Sequence, residues 1–301
     1  MRGGGGVGRK ADRYPARARR PLLGLLASLC LLLLIGLIFQ PTAGSQQGFS
    51  VYRDVPYAMP EGRKLRLDAY VPDDGINPGV VVLFEGGWVS GNKRDWRTEG
   101  ERLAAEGLAA FVIDYRLSPP GGTAHAPAAV EDVRAAISWV RTNAAIYRVD
   151  PTKVGALGGS AGGHLAMMAG TTGGVGQDRA DAVVSWSGDS ILRLFTSGPE
   201  ADVCLSFIGC PLGDCPGKWD VMSPLYQVDS SAAPMYLANS TDEDIPLEQA
   251  TLMADRLREA GVPHVLQIVE GREHSRGYEN EAFEPSVQFL KTYLGTAAGT
   301  L

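Results

Sequence analysis

Ser160 lies in the run ALGGSAGGHLA, residues 156–166, where Gly158, Ser160 and Gly162 satisfy the pattern G-x-S-x-G. A serine hydroxyl attacks a carbonyl only when a base takes its proton and a carboxylate orients that base. Glycines on both sides of the serine suit a turn too tight for side chains. In a chain with 38 glycines the pattern alone is weak, so the base, the acid and the flanking elements have to be found. Four histidines occur, His125, His164, His264 and His274, and only the last two come late enough for the chain order serine, acid, histidine. His264 opens the strand-like run PHVLQIV and reads as a structural residue, whereas His274 lies in the loop EGREHSRGYE beyond it and is the candidate base. The loop ANSTDEDIPLEQA offers Asp242, Glu243, Asp244 and Glu248 as the acid. Spacing from Ile245-Pro246 selects Asp242, with Asp244 as its rival. His164, one helical turn past Ser160, either lines the pocket or packs beneath it.

These residues need elements to hold them. LRLDAYV (65–71) alternates with period 2, as a half-buried antiparallel strand does. GVVVLFEG and LAAFVIDY are continuous apolar runs of the kind found in buried parallel strands. KVGALGG leads as a strand into Ser160, and AGGHLAMMAG follows as a helix, the strand–turn–helix context that the serine motif requires. DAVVSWSG, APMYLANS and HVLQIVEG continue the strands. DWRTEGERLAAEG, APAAVEDVRAAISWVRTNAAIY, Leu247 to Glu259 and PSVQFLKTYLG supply the helices. Repeated β-α units predict an α/β protein with a mostly parallel central sheet and helices on both faces. Residues 189–228 break the rhythm and read as a small cap insertion in a domain spanning 49–301.

Residues 1–48 differ in kind. Seven basic residues and one acid precede an uncharged, leucine-rich run from Leu22 to Phe39, followed by a small polar stretch. That order describes a signal or signal-anchor segment, with the bulk of the chain outside the cytoplasm, either membrane-anchored or secreted after cleavage. Without residues 1–20 the chain keeps 21 basic and 33 acidic residues, a balance near −12 that argues against nucleic acid as a partner. Of the cysteines Cys30, Cys204, Cys210 and Cys215, the last three cluster, and in an oxidising compartment Cys210–Cys215 is the expected disulfide, leaving Cys204 over. No nearby histidine or second C-x-x-C completes a zinc site there.

With these residues in place, the chain resembles the α/β-hydrolases, and more narrowly the esterase/lipase branch of hormone-sensitive-lipase-like and feruloyl-esterase-like carboxylesterases. DYRLSP (114–119), APAAVEDVRAAISWVR (126–141), GGSAGGHLA, DEDIP and the cysteine-bearing GCPLGDCPGKWDVMSPL carry the resemblance over roughly residues 50–295. It implies Ser160 as nucleophile, Asp242 as acid and His274 as base, with the N–H groups of Gly86, Gly87 and Ala161 forming the oxyanion hole. One motif departs: where the family writes HGGGW or HGG-x-W, this chain writes FEGGW, so Phe84 replaces the histidine and Glu85 the first glycine. A carboxylate beside an oxyanion hole opposes the charge that develops there, and losing one donor's worth of stabilisation costs about 10²-fold or more in rate.

The expectation is therefore a serine hydrolase that cleaves small-molecule carboxylic esters through an acyl-enzyme, with no metal or organic cofactor. Trp88, His164, Phe207 and Trp219 are candidate pocket residues, with core packing as the alternative for the aromatics. The rival expectations are a peptidase or amidase on the same fold and an inactive binding protein on a hydrolase scaffold, the latter favoured only by Glu85.

Overall fold

Continuous apolar runs form the centre of the sheet. In the computed structural model, which describes residues 44–46 and 48–295, Val80, Val81, Val82 and Leu83 of β4 (Asn77–Leu83) are fully buried. On either side of β4 lie β5 (Ala109–Ile113) and β6 (Val149–Gly159), both parallel to it. The parallel run continues through β7 (Val183–Trp186), β8 (Met235–Ser240) and β9 (His264–Val269). At the other edge β3 (Leu65–Pro72), β2 (Phe49–Ala58) and the short β1 (Gly44–Gln46) pair antiparallel. Among the described residues the sheet has nine strands, ordered β1-β2-β3-β5-β4-β6-β7-β8-β9. This is the mostly parallel, helix-covered sheet of an α/β-hydrolase fold.

The alternating run at 65–71 is β3, antiparallel as its period predicts. Strand β2 has no such signal because its register shifts between Tyr52 and Val55 and again between Pro56 and Ala58, with Asp54 at φ 55°. A bulge of this kind breaks the period-2 pattern that makes a strand legible.

The helices are α1 (Arg97–Ala105), α2 (Ala128–Thr142), α3 (Ala161–Thr171), α4 (Pro199–Ile208), α5 (Pro216–Val221), α6 (Leu247–Glu259) and α7 (Glu279–Leu294). Helix α6 has the bounds its periodicity predicts. Helix α7 begins six residues before the expected start at Pro285, with Glu279 and Glu281 favourably placed in its first turn. Helix α3 is buried along its whole length, so it carries almost no amphipathic signature, and it packs against β6 and β7 as well as α2 and the 3₁₀ turn Pro224–Gln227. Helices α4 and α5 fall within residues 189–228, with a disulfide between Cys210 and Cys215 and a buried free Cys204. The basic N-terminus and the apolar run Leu22–Phe39 lie outside the described residues. Among the described residues no helix is long and apolar enough to cross a membrane.

Candidate active site

Strand β6 ends at Gly159 and α3 begins at Ala161, so Ser160 alone makes the turn, at φ 52° and ψ −122°. This is a left-handed conformation that a non-glycine residue keeps only when its surroundings enforce it. Its N–H donates to the Trp186 carbonyl at 2.7 Å and its carbonyl accepts from the His164 N–H at 2.9 Å. A Cβ on Gly162 would lie 2.2 Å from the Leu83 carbonyl oxygen, and one on Gly158 would lie 2.4 Å from the Gly162 carbonyl. The flanking glycines are therefore required by backbone against backbone. Ala161 opens α3, where the N–H groups lack intrahelical acceptors and the positive end of the helix dipole faces outward.

His274 follows β9 and precedes the 3₁₀ turn Ser275–Tyr278. Its Nδ1 donates to Glu243 Oε2, and the Glu243 side chain is fully buried. The other carboxylate oxygen of Glu243 accepts from the Ser240 N–H and the Ser187 hydroxyl, each at 2.8 Å. The expectation that Asp242 meets the histidine is corrected here. The Asp242 side chain is 74% exposed and lies 3.3 Å from Arg272, itself 82% exposed. The reason is local. Thr241 and Asp242 donate their N–H groups to the Val269 and Gly271 carbonyls, continuing the β8–β9 pairing and leaving the Asp242 side chain in solvent. Glu243, one residue on and one methylene longer, folds back to the end of β8 and to His274. The rival Asp244 is exposed at the cavity.

Two further residues escaped the sequence reading. Ser187, at φ 49°, accepts from the Ser275 N–H at 3.0 Å while donating to Glu243, and its hydroxyl lies 2.7 Å from the Tyr278 hydroxyl. Tyr278 also donates to the Ala238 carbonyl at 3.0 Å. Burial opposes charge on the His274 ring, but the Glu243 hydrogen bond and the charges of Glu243, Glu85 and Asp189 outweigh it and raise its pKa above the ordinary histidine value.

The chain leaves β4 into a tight turn in which Gly86, Gly87 and Trp88 all have positive φ, 124°, 59° and 61°. Val89 and Ser90 both donate N–H groups to the Gly86 carbonyl at 3.1 Å. Phe84, in place of the family's histidine, stacks on Tyr115 with centroids 4.1 Å apart, and the Tyr115 hydroxyl donates to the Phe84 carbonyl at 2.9 Å. Glu85 faces a counter-charge: its Oε1 lies 3.5 Å from Arg276 Nε. The same guanidinium lies 3.5 Å from Glu99, donates to the Asp95 carbonyl and sits over the Trp96 ring. Glu99, desolvated among these groups, is pushed up to about 7.

Gly87, Trp88, Ser160 and His274 line one cavity of about 170 Å³, together with residues of the 189–228 segment. The other candidate pocket residues lie behind this wall. His164 is fully buried, with Trp88 Nε1 donating to its Nδ1 at 3.2 Å and its Nε2 donating to the Met222 carbonyl at 2.8 Å. Burial lowers its pKa to about 4, so it is neutral and structural. Phe207 is fully buried and stacks on Trp88 at 4.7 Å. Trp219 donates to the Cys210 carbonyl at 3.0 Å and is buried within the 189–228 segment. Of the four, only Trp88 reaches the cavity, and the three others build its support. His125 and His264 hydrogen-bond to the Ser206 and Val262 carbonyls respectively.

Known proteins share this arrangement of elements. The chain is 30% identical over 231 residues to the esterase LipQ of Mycobacterium tuberculosis, matching 70% of this chain and 54% of that protein. It is 38% identical over 118 residues to a probable isoprenylcysteine alpha-carbonyl methylesterase of Oryza sativa subsp. japonica, matching 38% of this chain and 27% of that protein. The chain thus spans about half or less of the length of these relatives. Among solved structures, a thermophilic esterase of the planctomycete Thermogutta terrifontis superposes with a TM-score of 0.70 at 25% identity, covering 89% of this chain and all of that one. The BD-FAE family profile matches residues 67–257, the stretch from β3 through α6 that contains Ser160, Glu85 and Glu243. By that match, this chain belongs to the BD-FAE family of α/β-hydrolase esterases.

Proposed function

We propose that this protein is a serine hydrolase that cleaves small carboxylic esters through an acyl-enzyme, with Ser160 as nucleophile, His274 as base and Glu243 as the carboxylate that orients the base. The observation that carries this reading is a strained serine at a strand–helix turn, sharing one cavity with a histidine whose far nitrogen is bound to a buried carboxylate. In the first half-reaction His274 Nε2 takes the Ser160 proton as Oγ attacks the acyl carbon. Glu243 keeps the Nδ1–H tautomer and stabilises the imidazolium. The Gly86, Gly87 and Ala161 N–H groups, two from a turn and one from a helix start, stabilise the oxyanion. His274 then protonates the leaving alcohol, and water activated by the same ring resolves the acyl-enzyme. Arg276 offsets the charge of Glu85, which otherwise opposes the oxyanion.

The cavity volume sets the size of the acyl or alcohol group. An apolar cavity near 150 Å³ holds one benzene, so about 170 Å³ suits a short chain or a single ring. The basic, then apolar, N-terminal segment supports placement outside the cytoplasm, and the Cys210–Cys215 disulfide fits an oxidising compartment.

The test is hydrolysis of p-nitrophenyl acetate, butyrate and decanoate by the full-length chain in detergent, as wild type and Ser160→Ala. The expected result is turnover of the short esters, much weaker turnover of decanoate, and loss of activity in a folded Ser160→Ala. Undiminished activity in that variant overturns the assignment of the nucleophile.

A further inference from the structure

Asp189 is the one buried carboxyl of the cavity for which the proposed chemistry has no use. It lies three residues past the end of β7 and is 3% exposed. It lines the same cavity as Ser160 and His274. Its Oδ1 is buried without a hydrogen-bond partner. An unpartnered buried carboxyl oxygen is costly and uncommon, and inside a ligand cavity it marks a place where the ligand supplies the donor.

Among the described residues no lysine or arginine lines the cavity, and the one group there that takes positive charge is His274, which the proposed chemistry already uses. The other charged or titratable groups on the cavity wall are Glu200, Asp244, His274 and Cys204. Glu243 stands behind His274 and is bound to it, and Arg276 is engaged with Glu85 and Glu99. The Cys204 thiol is kept protonated by burial and by the nearby charges of Asp189 and Glu200. The remaining wall is largely apolar, with Trp88, Phe195, Val203 and Ile245.

We infer that Asp189 is a substrate-recognition residue whose free oxygen accepts a hydrogen bond from a donor, a hydroxyl or an ammonium, carried by the ester close to its scissile bond. The inference rests on the hydrolase reading above and names the class of substrate for that site. The cavity's size sets the distance: serine and carboxyl share about 170 Å³, so the donor sits within a few bonds of the reacting carbonyl. Burial pushes the Asp189 carboxyl up to about 7, and both of its charge states retain an acceptor oxygen. Esters that carry their own carboxylate are disfavoured by Asp189, Glu200 and Asp244 together.

The experiment measures kcat/KM by pH-stat for ethyl butyrate, ethyl 3-hydroxybutyrate and ethyl 3-aminobutyrate, and for butyl acetate and 3-hydroxybutyl acetate on the alcohol side. Full-length wild type, Asp189→Asn and Asp189→Leu are compared. The readout is the ratio of each donor-bearing ester to its plain counterpart, because comparing that ratio between proteins cancels intrinsic reactivity. In Asp189→Leu the ratio for at least one donor-bearing ester falls roughly tenfold or more, the usual scale for a hydrogen bond to a charged group. Asp189→Asn keeps a carbonyl acceptor, so it loses an ammonium preference while retaining part of a hydroxyl preference, which separates the two donors. If Asp189→Leu does not fold, the near-isosteric Asp189→Asn decides through the ammonium ratio and any partial loss of the hydroxyl ratio. Ratios within about threefold of wild type for every ester, with wild type cleaving the plain esters, overturn the inference and leave the hydrolase reading standing. A folded wild type that cleaves none of the five esters overturns both.

Discussion

Exchanging the carboxylate on His274 for an amide separates the two acidic neighbours Asp242 and Glu243. In Glu243→Gln the amide oxygen is held by the donors now facing Oε1, the Ser240 N–H and the Ser187 hydroxyl, each at 2.8 Å. The amide NH₂ then faces His274 Nδ1, which must become an acceptor. The ring's proton moves to Nε2, the nitrogen that has to accept the Ser160 proton. An enforced wrong tautomer of this kind costs about 10⁴-fold in kcat in a serine protease triad, and the same loss is expected here. Asp242→Asn removes only a pairing with Arg272 in which both side chains are more than two-thirds exposed. Such contacts contribute about 0–1 kcal/mol to stability, and the change in kcat/KM is expected to stay within about threefold. The assay is p-nitrophenyl butyrate hydrolysis by the two full-length variants, with circular dichroism to confirm folding. Retained activity in Glu243→Gln together with its loss in Asp242→Asn refutes the reasoning, because it makes the residue in solvent the working acid.

The acid limb of the pH–rate profile is expected to have its midpoint above 6.5, because the His274 pKa is raised and the base works only when neutral. Glu85→Gln removes one of the charges that raise it, and pH profiles of kcat/KM are expected to show the midpoint moving down in that variant. Ser160→Gly relieves a left-handed φ of 52° that Ser160→Ala retains. Strain at such a position costs about 1–3 kcal/mol and glycine's extra chain entropy about 0.5–1, so urea melts are expected to show the glycine variant about 1 kcal/mol more stable than the alanine variant. Asp189, buried and raised from 3.8 to about 7, makes the folded state hold its proton more tightly than the unfolded chain. Its contribution to stability is therefore full below the unfolded value and lost as pH rises through about 7. Asp189→Asn is expected to flatten that part of a stability-versus-pH series.

Features that depend on neighbours along the chain are legible in the amino-acid order alone. Period-2 alternation located β3, continuous apolar runs located β4 and β5, and Gly158-x-Ser160-x-Gly162 between a strand and a helix located the elbow, because backbone crowding there excludes any Cβ. His274 was legible as a loop residue after the last strand. The Cys210–Cys215 pairing was legible from closeness in sequence. Contacts between distant segments have no such signature and are set by the three-dimensional packing. The choice of Glu243 over Asp242 turns on the Val269 and Gly271 carbonyls, which hold the backbone of Thr241 and Asp242 and leave one carboxylate in solvent. The support of Glu243 by Ser187 and Tyr278 joins segments some 35 to 91 residues apart, with no local signature in any of them. His164, Phe207 and Trp219 have the right types for a pocket, but packing around Trp88 and within the 189–228 segment turns them inward. The charge of Glu85 departs from its motif, and the fold brings Arg276, 191 positions later, to face it. Adjacency in sequence fixes backbone conformation and hydrophobic period, whereas the partner of a charge is set by which loops the sheet order brings to the same end.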